Sequence, residues 1–170
     1  MLKKDKVKIF DLDGNKKEIK IEKVDWNAEQ AEKQGFKHFM LKEIFEQPQA
    51  ITEAISGRLK DSDILIKDEI GLSEDEVKNI KRVIIVACGT SWHAGLVGKF
   101  FLESLARINT EVEYASEFRY KDPIINGDDL LIAISQSGET ADTLAVLREV
   151  KNKIKIISIC NVFGSSIPRL

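Results

Sequence analysis

Two short stretches of this 170-residue chain combine hydroxyl side chains with a glycine: Ser135-Gln136-Ser137-Gly138-Glu139-Thr140 and Cys88-Gly89-Thr90-Ser91. Each follows an apolar run of strand length and precedes a helical pattern. Hydroxyls can donate to an anion, and a glycine lets the backbone come close to it. The first turn of a helix adds unpaired N–H groups and a dipole that favours negative charge. The anion these features predict is a phosphate, since neutral hydroxyls and amides can hold a dianion with few charged side chains nearby. Ser137 or Thr140 can also act as the N-cap of the helix that follows. Alone, Ser-x-Ser-Gly-x-Thr fits an ordinary strand-to-helix turn equally well. Two such loops converging on one place favour a ligand.

The other reactive side chains offer less. Cys88 follows a strand and precedes a helix start, which can lower a thiol pKa. No base is evident beside it, so it is read as lining a substrate site. Cys160 reads as strand-end packing. The two cysteines fit neither a metal spacing nor a disulfide framework. One strand between them would set them roughly 10 Å apart, beyond a disulfide's reach of about 7 Å. His93 and His38 read as capping or packing residues. Glu139 suits a helix N-terminus but would repel a phosphate, so it is expected to point away from one. Lys42, Glu43 and Glu46 read as a solvated helix face, and Trp92 and Phe100 as core. No metal or cofactor is expected.

The elements that must position these loops follow from periodicity. Val83-Ile84-Ile85-Val86 is a continuous β-branched run, the mark of a strand buried on both faces, within a strand over 82–87. Further strands are predicted at 111–115, 130–134 and 155–160. Ser73 and Glu76 form a capping box that opens a short helix through Ile80. Helices follow over 92–105, where Gly95 and Gly98 imply close packing, and over 141–151. Strands alternating with helices predict an α/β fold: a doubly wound parallel sheet with helices on both faces. The flavodoxin-like order 2-1-3-4 makes the first and third strands neighbours that the chain leaves in opposite directions. Ligands bind at such a switch point, where both hydroxyl-rich loops would lie.

Ahead of this sheet, residues 6–24 read as a β-hairpin. Val7, Ile9 and Leu12 alternate, Asp13-Gly14 turns, and Ile19 and Ile21 alternate again. Residues 25–37 read as a linker. Residues 38–59 read as an amphipathic helix with Leu41, Ile44, Phe45, Ile51 and Ile55 on one face. Pro48 predicts a kink or break near Gln47, and Gly57 a stop. Residues 161–170 read as a loop. Net charge is −2, which gives no electrostatic footprint for nucleic acid. No signal core and no membrane-spanning run are seen, so a cytoplasmic location is expected.

The two loops resemble those of the sugar isomerase (SIS) domain. More closely, the chain resembles the glutamine–fructose-6-phosphate amidotransferase family, the glucosamine-6-phosphate synthases. Three stretches carry this: His38-Phe39-Met40-Leu41-Lys42-Glu43-Ile44-Phe45-Glu46-Gln47-Pro48, Ala87-Cys88-Gly89-Thr90-Ser91, and Ile134 through Thr143. The first is the most discriminating, and the likeness extends over essentially the whole chain. It implies a reaction in which ammonia from glutamine is delivered to fructose 6-phosphate, giving glucosamine 6-phosphate. It also implies that Ser91, Ser135, Gln136, Ser137 and Thr140 hold the sugar phosphate, with Thr90 beside the sugar and Cys88 near it.

The departures are as informative. The family's glutaminase uses an N-terminal cysteine nucleophile, and here no cysteine precedes Cys88. The second SIS domain, with its isomerase acid/base residues and Schiff-base lysine, has no counterpart. The resemblance thus implies the tail of a glutaminase domain over 1–24, a linker over 25–37, and a C-terminally truncated first SIS domain over 38–170. Such a chain is expected to bind substrate without turning it over. Its expected partners are the sugar phosphate, the missing domains of the parent chain and a second copy in a homodimer. Two alternatives stand beside this reading: a regulatory SIS module that senses a sugar phosphate, and a flavodoxin-like electron carrier. The first is disfavoured by the lack of a basic helix-turn-helix, the second by the phosphate loop after the third strand.

Overall fold

A computed structural model describes residues 2–3, 6–18, 32–61 and 63–170, which fall into two compact units, 1–59 and 60–170. In the first unit β1 (Leu2–Lys3) pairs with β2 (Lys6–Val7), and β3 (Ile9–Phe10) with β4 (Lys16–Lys17), both antiparallel. Asp11 builds the turn of the second pair. Its carboxylate accepts from the N–H groups of Asp13 (3.1 Å) and Asn15 (2.8 Å). Gly14 takes φ 86°, open to glycine at no steric cost. The turn is therefore where the sequence puts it, but Val7, expected in the same hairpin, pairs with Leu2 in a separate ladder, and the strand after the turn is Lys16–Lys17. Leu12, expected to alternate within a strand, instead sits fully exposed in the turn. The return strand expected at Ile19 and Ile21 lies outside the described residues.

Helix α1 (Phe39–Ile55) runs unbroken through Pro48, so the expected break near Gln47 does not occur. A proline removes one N–H from the ladder, and the turn that follows it is reinforced by side chains. Thr52 Oγ1 donates to the Pro48 carbonyl at 2.8 Å, and Gln49 bonds Glu53 one turn on at 2.7 Å. Lys42, expected on a solvated face, is 3% exposed, with its ammonium 3.3 Å from Glu46. A lysine can be buried where a carboxylate one turn away compensates the charge. Gly57, at φ 75°, follows the helix end, as expected.

The second unit follows β5 (Leu59–Lys60), at the junction, and carries β6 (Asp63–Ile64), α2 (Lys67–Ile70), α3 (Glu74–Asn79), β7 (Arg82–Ala87) and α4 (Gly89–Phe101). After α4 come a π-helical turn at Leu102–Ala106, β8 (Asn109–Tyr114), α5 (Ala115–Phe118), β9 (Asp129–Ser135), α6 (Ala141–Val150), β10 (Lys155–Cys160) and a 3₁₀ turn at Ile167–Arg169. The predicted capping box is present: Glu76 N–H donates to Ser73 Oγ and Ser73 N–H to the Glu76 carboxylate. Four strands form one sheet in the order β10-β9-β7-β8, with every pairing parallel. Counted from β7, this is the 2-1-3-4 order the sequence predicts.

The two central strands, β7 and β9, are covered on both faces of the sheet, while β8 and β10 are buried only in part. On one face, Ile84, Val86, Leu131 and Ala133 pack with Leu144, Val146, Leu147 and Val150 of α6 and with Phe118. On the other, Val83, Ile85 and Leu130 pack with Leu72, Ile80, Leu102 and Val112. Burying one such side chain contributes about 1.5–3 kcal/mol, so these residues fix which way the strands face. Gly95 brings α4 onto the sheet: a Cβ there would lie 3.0 Å from both Ile85 Cγ2 and Val112 Cγ1. Gly98 is looser, 3.5 Å from Ile85 Cδ1. With glycines on the sheet side, large α4 side chains turn outward. Phe100, expected in the core, is 67% exposed. Trp92 is half-buried and stacks on Tyr114, ring centres 4.4 Å apart. Helix α4 also begins at Gly89 rather than Trp92, because the chain turns into it directly from an extended Cys88. Ala115 opens α5 instead of ending the strand.

Candidate anion site at the carboxyl ends of the strands

Register sets the geometry. Ala87 at the end of β7 lies opposite Ile134 of β9, and Ser135 opposite Cys160 of β10. The segments that leave β7, β9 and β10 therefore emerge side by side from one edge of the sheet.

At the end of β7, Cys88 takes the N-cap position of α4, and Gly89, Thr90 and Ser91 form the helix's first turn. The sequence places these residues in a loop ahead of the helix. A positive φ of 57° at Gly89 brings the helix forward to them. No side chain caps α4 and its first turn holds no acidic residue. The amide end of that helix is thus positive, and among the described residues no side-chain capping bond is made to it. Thr90 is exposed, while Ser91 and Cys88 are half-buried. His93 Nδ1 lies 3.1 Å from the Gly89 carbonyl, a contact within the helix.

The second stretch is a tight turn closed by its own hydroxyls. Ser135, the last residue of β9, is 3% exposed. Its Oγ accepts the Gly138 N–H at 3.0 Å and shares a hydrogen bond with Thr140 Oγ1 at 3.0 Å. Ser137 Oγ accepts the Glu139 N–H at 3.2 Å. Thr140 holds the N-cap position of α6, but its side chain makes no capping bond. The expectation of a cap at Ser137 or Thr140 is met in position only, and α6, like α4, starts without a side-chain capping bond among the described residues. Asp142 in its first turn is paired with Arg119 at 3.7 Å. Gln136 is exposed and Ser137 half-buried. The fold therefore gathers Ser135, Gln136, Ser137 and Thr140 into one turn and sets Cys88, Thr90 and Ser91 on the neighbouring strand's exit. Two helix starts, five serine and threonine hydroxyls and a glutamine amide can bind a compact anion.

Sequence reasoning missed the third exit. Residues 161–167, read only as a loop, support the 135–140 turn. Asn161 N–H donates to the Gln136 carbonyl at 3.3 Å, Ile167 N–H to the Gly138 carbonyl at 3.0 Å, and Ser166 N–H to Glu139 Oε1 at 2.7 Å. Bonds from Ser166, with Arg169 nearby, hold the Glu139 carboxyl below the ordinary carboxylate range. The available signal was topological: this segment leaves the strand next to β9. Cys160, half-buried at that strand's end, has its thiol pushed up by burial. Among the described residues no group of three His, Cys, Asp or Glu side chains is placed to hold a metal.

The SIS domain family model matches residues 76–170. The glutamine–fructose-6-phosphate aminotransferase (isomerizing) of Clostridium tetani is 53% identical over 170 residues, covering 99% of this chain and 28% of that protein. The protein of the same name from Methanosarcina acetivorans is 51% identical over 166 residues, covering 96% and 27%. The chain thus spans under a third of the length of these relatives. Among solved structures, the C-terminal domain of glucosamine-fructose-6-phosphate aminotransferase from Francisella tularensis superposes with TM-score 0.73 and 44% identity, covering 81% of this chain and 39% of that one. Tagatose-6-phosphate ketose/aldose isomerase from Escherichia coli shares the fold, at TM-score 0.64 and 16% identity over 78% of this chain and 37% of that one.

Proposed function

This chain belongs to the SIS domain family, and we propose that it is the sugar-phosphate-binding part of a glutamine–fructose-6-phosphate aminotransferase. In that reading residues 1–24 are the tail of a glutaminase domain, 25–37 a linker and 38–170 the first SIS domain. The parent protein converts fructose 6-phosphate and glutamine to glucosamine 6-phosphate and glutamate, in the cytoplasm and as a homodimer.

The observation that carries this reading is the adjacency of two uncapped helix starts, at Gly89 and Ala141, on neighbouring parallel strands. A phosphate dianion satisfies both at once. Its oxygens take the first-turn amides and the hydroxyls of Ser91, Ser137 and Thr140, with the Gln136 amide at the rim. Ser135 belongs to the same set and also holds the turn through Gly138 and Thr140. Thr90 and Cys88 lie toward the sugar. None of these residues has a base or nucleophile role in the proposal. Ammonia release and isomerisation fall to parts of the relatives that this chain does not span, and glucosamine 6-phosphate formation by the chain alone would contradict that.

Titration calorimetry tests the reading. Fructose 6-phosphate is expected to bind saturably, and fructose not at all. Ser137→Ala should weaken binding by about ten- to a hundredfold, the worth of one hydrogen bond to a charged group. Equal binding of both sugars, or an unaffected Ser137→Ala variant, would refute the assignment.

A further inference from the structure

Glu139 stands at the start of α6, next to the hydroxyls proposed to hold a dianion. A carboxylate there opposes anion binding by like-charge repulsion. Yet its side chain is committed elsewhere, with Oε1 accepting the Ser166 N–H at 2.7 Å. Around it the turn is tied to the 161–167 segment by two backbone bonds, from Asn161 to Gln136 and from Ile167 to Gly138. The two segments also touch. A Cβ on Gly138 would fall 1.9 Å from Ser165 Oγ and 2.6 Å from Ser165 Cβ. Ser165 in turn is fixed by its own bond to the Val162 carbonyl at 2.8 Å. Glu139 thus supplies the side-chain tie at the point where the turn becomes helix.

We propose that Glu139 is a positioning residue: by accepting from Ser166 it locks the 135–140 turn against the segment leaving β10 and so favours, rather than opposes, sugar-phosphate binding. The proposal rests on the sugar-phosphate reading of the site. Its distinctive content is the sign of the effect. Were Glu139 a bystander, removing its charge would tighten binding of a dianion. As a tie, its removal loosens the turn and weakens binding.

Glu139→Ala and Glu139→Gln in the whole chain separate these cases. Glutamine keeps a carbonyl oxygen that accepts from Ser166, while alanine does not. Amide hydrogen exchange without ligand is expected to quicken across 136–140 and 161–167 in Glu139→Ala by about two- to tenfold, the worth of one ordinary hydrogen bond. Glu139→Gln should stay near the parent. Affinity for fructose 6-phosphate should fall by a similar factor in Glu139→Ala and be largely retained in Glu139→Gln. Unchanged exchange in Glu139→Ala, or equal or tighter binding in both variants, overturns the proposal. Faster exchange in Glu139→Ala from a parent chain that binds no fructose 6-phosphate keeps the tie and overturns the ligand assigned to the turn.

Discussion

Single residues set the shape of the proposed site more than its charge does. Ser135 is buried and bonded twice, so its hydroxyl acts first on the chain's own turn. Gly138 does the same by lacking a side chain: its φ of 64° suits glycine, and its missing Cβ leaves the space that Ser165 fills. Gly138→Ala is therefore expected to destabilise the second unit by about 1–3 kcal/mol, from backbone strain and overpacking together. It should also abolish fructose 6-phosphate binding at the concentrations that saturate the parent. Urea unfolding followed by circular dichroism reads the first effect and calorimetry the second. A variant as stable as the parent would show that the approach of Ser165 to Gly138 is not a constraint. Much of this was legible in the sequence: Ser135, Ser137, Gly138 and Thr140 follow from hydroxyls, a glycine and the period change, while Gln136 came only with the family resemblance. The bracing by Asn161, Ser166 and Ile167 was not, because its donors are backbone N–H groups that any residue carries.

At the scale of elements, the strands could be read and the helix faces only in part. Val83 to Val86 declared a doubly buried strand because both sheet faces demand apolar side chains, and Ser73 with Glu76 declared a helix start by its reciprocal bonds. Phe100 misled because α4 meets the sheet through Gly95 and Gly98, so apolar size no longer marks the inner face. Pro48 misled because a local penalty of about 3 kcal/mol is smaller than the sum holding a 17-residue helix. The amino ends of the strands, opposite the site, are fastened by one cluster. Arg82 donates to Asp129 through Nε (3.0 Å) and Nη2 (2.6 Å), to Glu111 at 3.2 Å and to the Ile124 carbonyl at 2.7 Å. Burial alone would raise the Asp129 carboxyl, but bonds from Arg82 and the Asn126 N–H outweigh it and hold it below the ordinary aspartate range. A folded-state pKa below the unfolded one contributes stability that is present above about pH 4 and is lost as pH falls through the depressed value. The sheet is thus expected to lose stability in acid, and Asp129→Asn to cost about 1.5–3 kcal/mol at pH 7 by removing one charged partner of Arg82, which keeps Glu111 and the Ile124 carbonyl. The variant's stability should then fall less steeply than the parent's as pH drops below about 4. A parallel acid loss in both would place the titrating group elsewhere.

For the whole molecule, the exposed apolar faces matter most. Helix α1 leaves Phe39, Met40, Phe45 and Ile51 more than half exposed, and α4 with the π-helical turn after it leaves Val97, Phe100, Phe101 and Leu105 likewise. Faces of this kind mark surfaces that associate, which supports the proposed homodimer. Sedimentation equilibrium is expected to show a dimer at micromolar concentration that Phe100→Glu with Leu105→Glu dissociates. A monomer throughout would contradict the proposal. No helix among the described residues is long and apolar enough to cross a membrane.

The central claim is that one sugar phosphate lies across the two strand exits at Cys88–Ser91 and Ser135–Thr140. Amide chemical-shift mapping by NMR, titrating fructose 6-phosphate into the labelled chain, tests it most directly. Saturable shifts are expected at the amides of residues 89–91 and 136–142, with one common affinity and none from fructose. Shifts confined to one of the two exits, or clustered elsewhere on the chain, would contradict it.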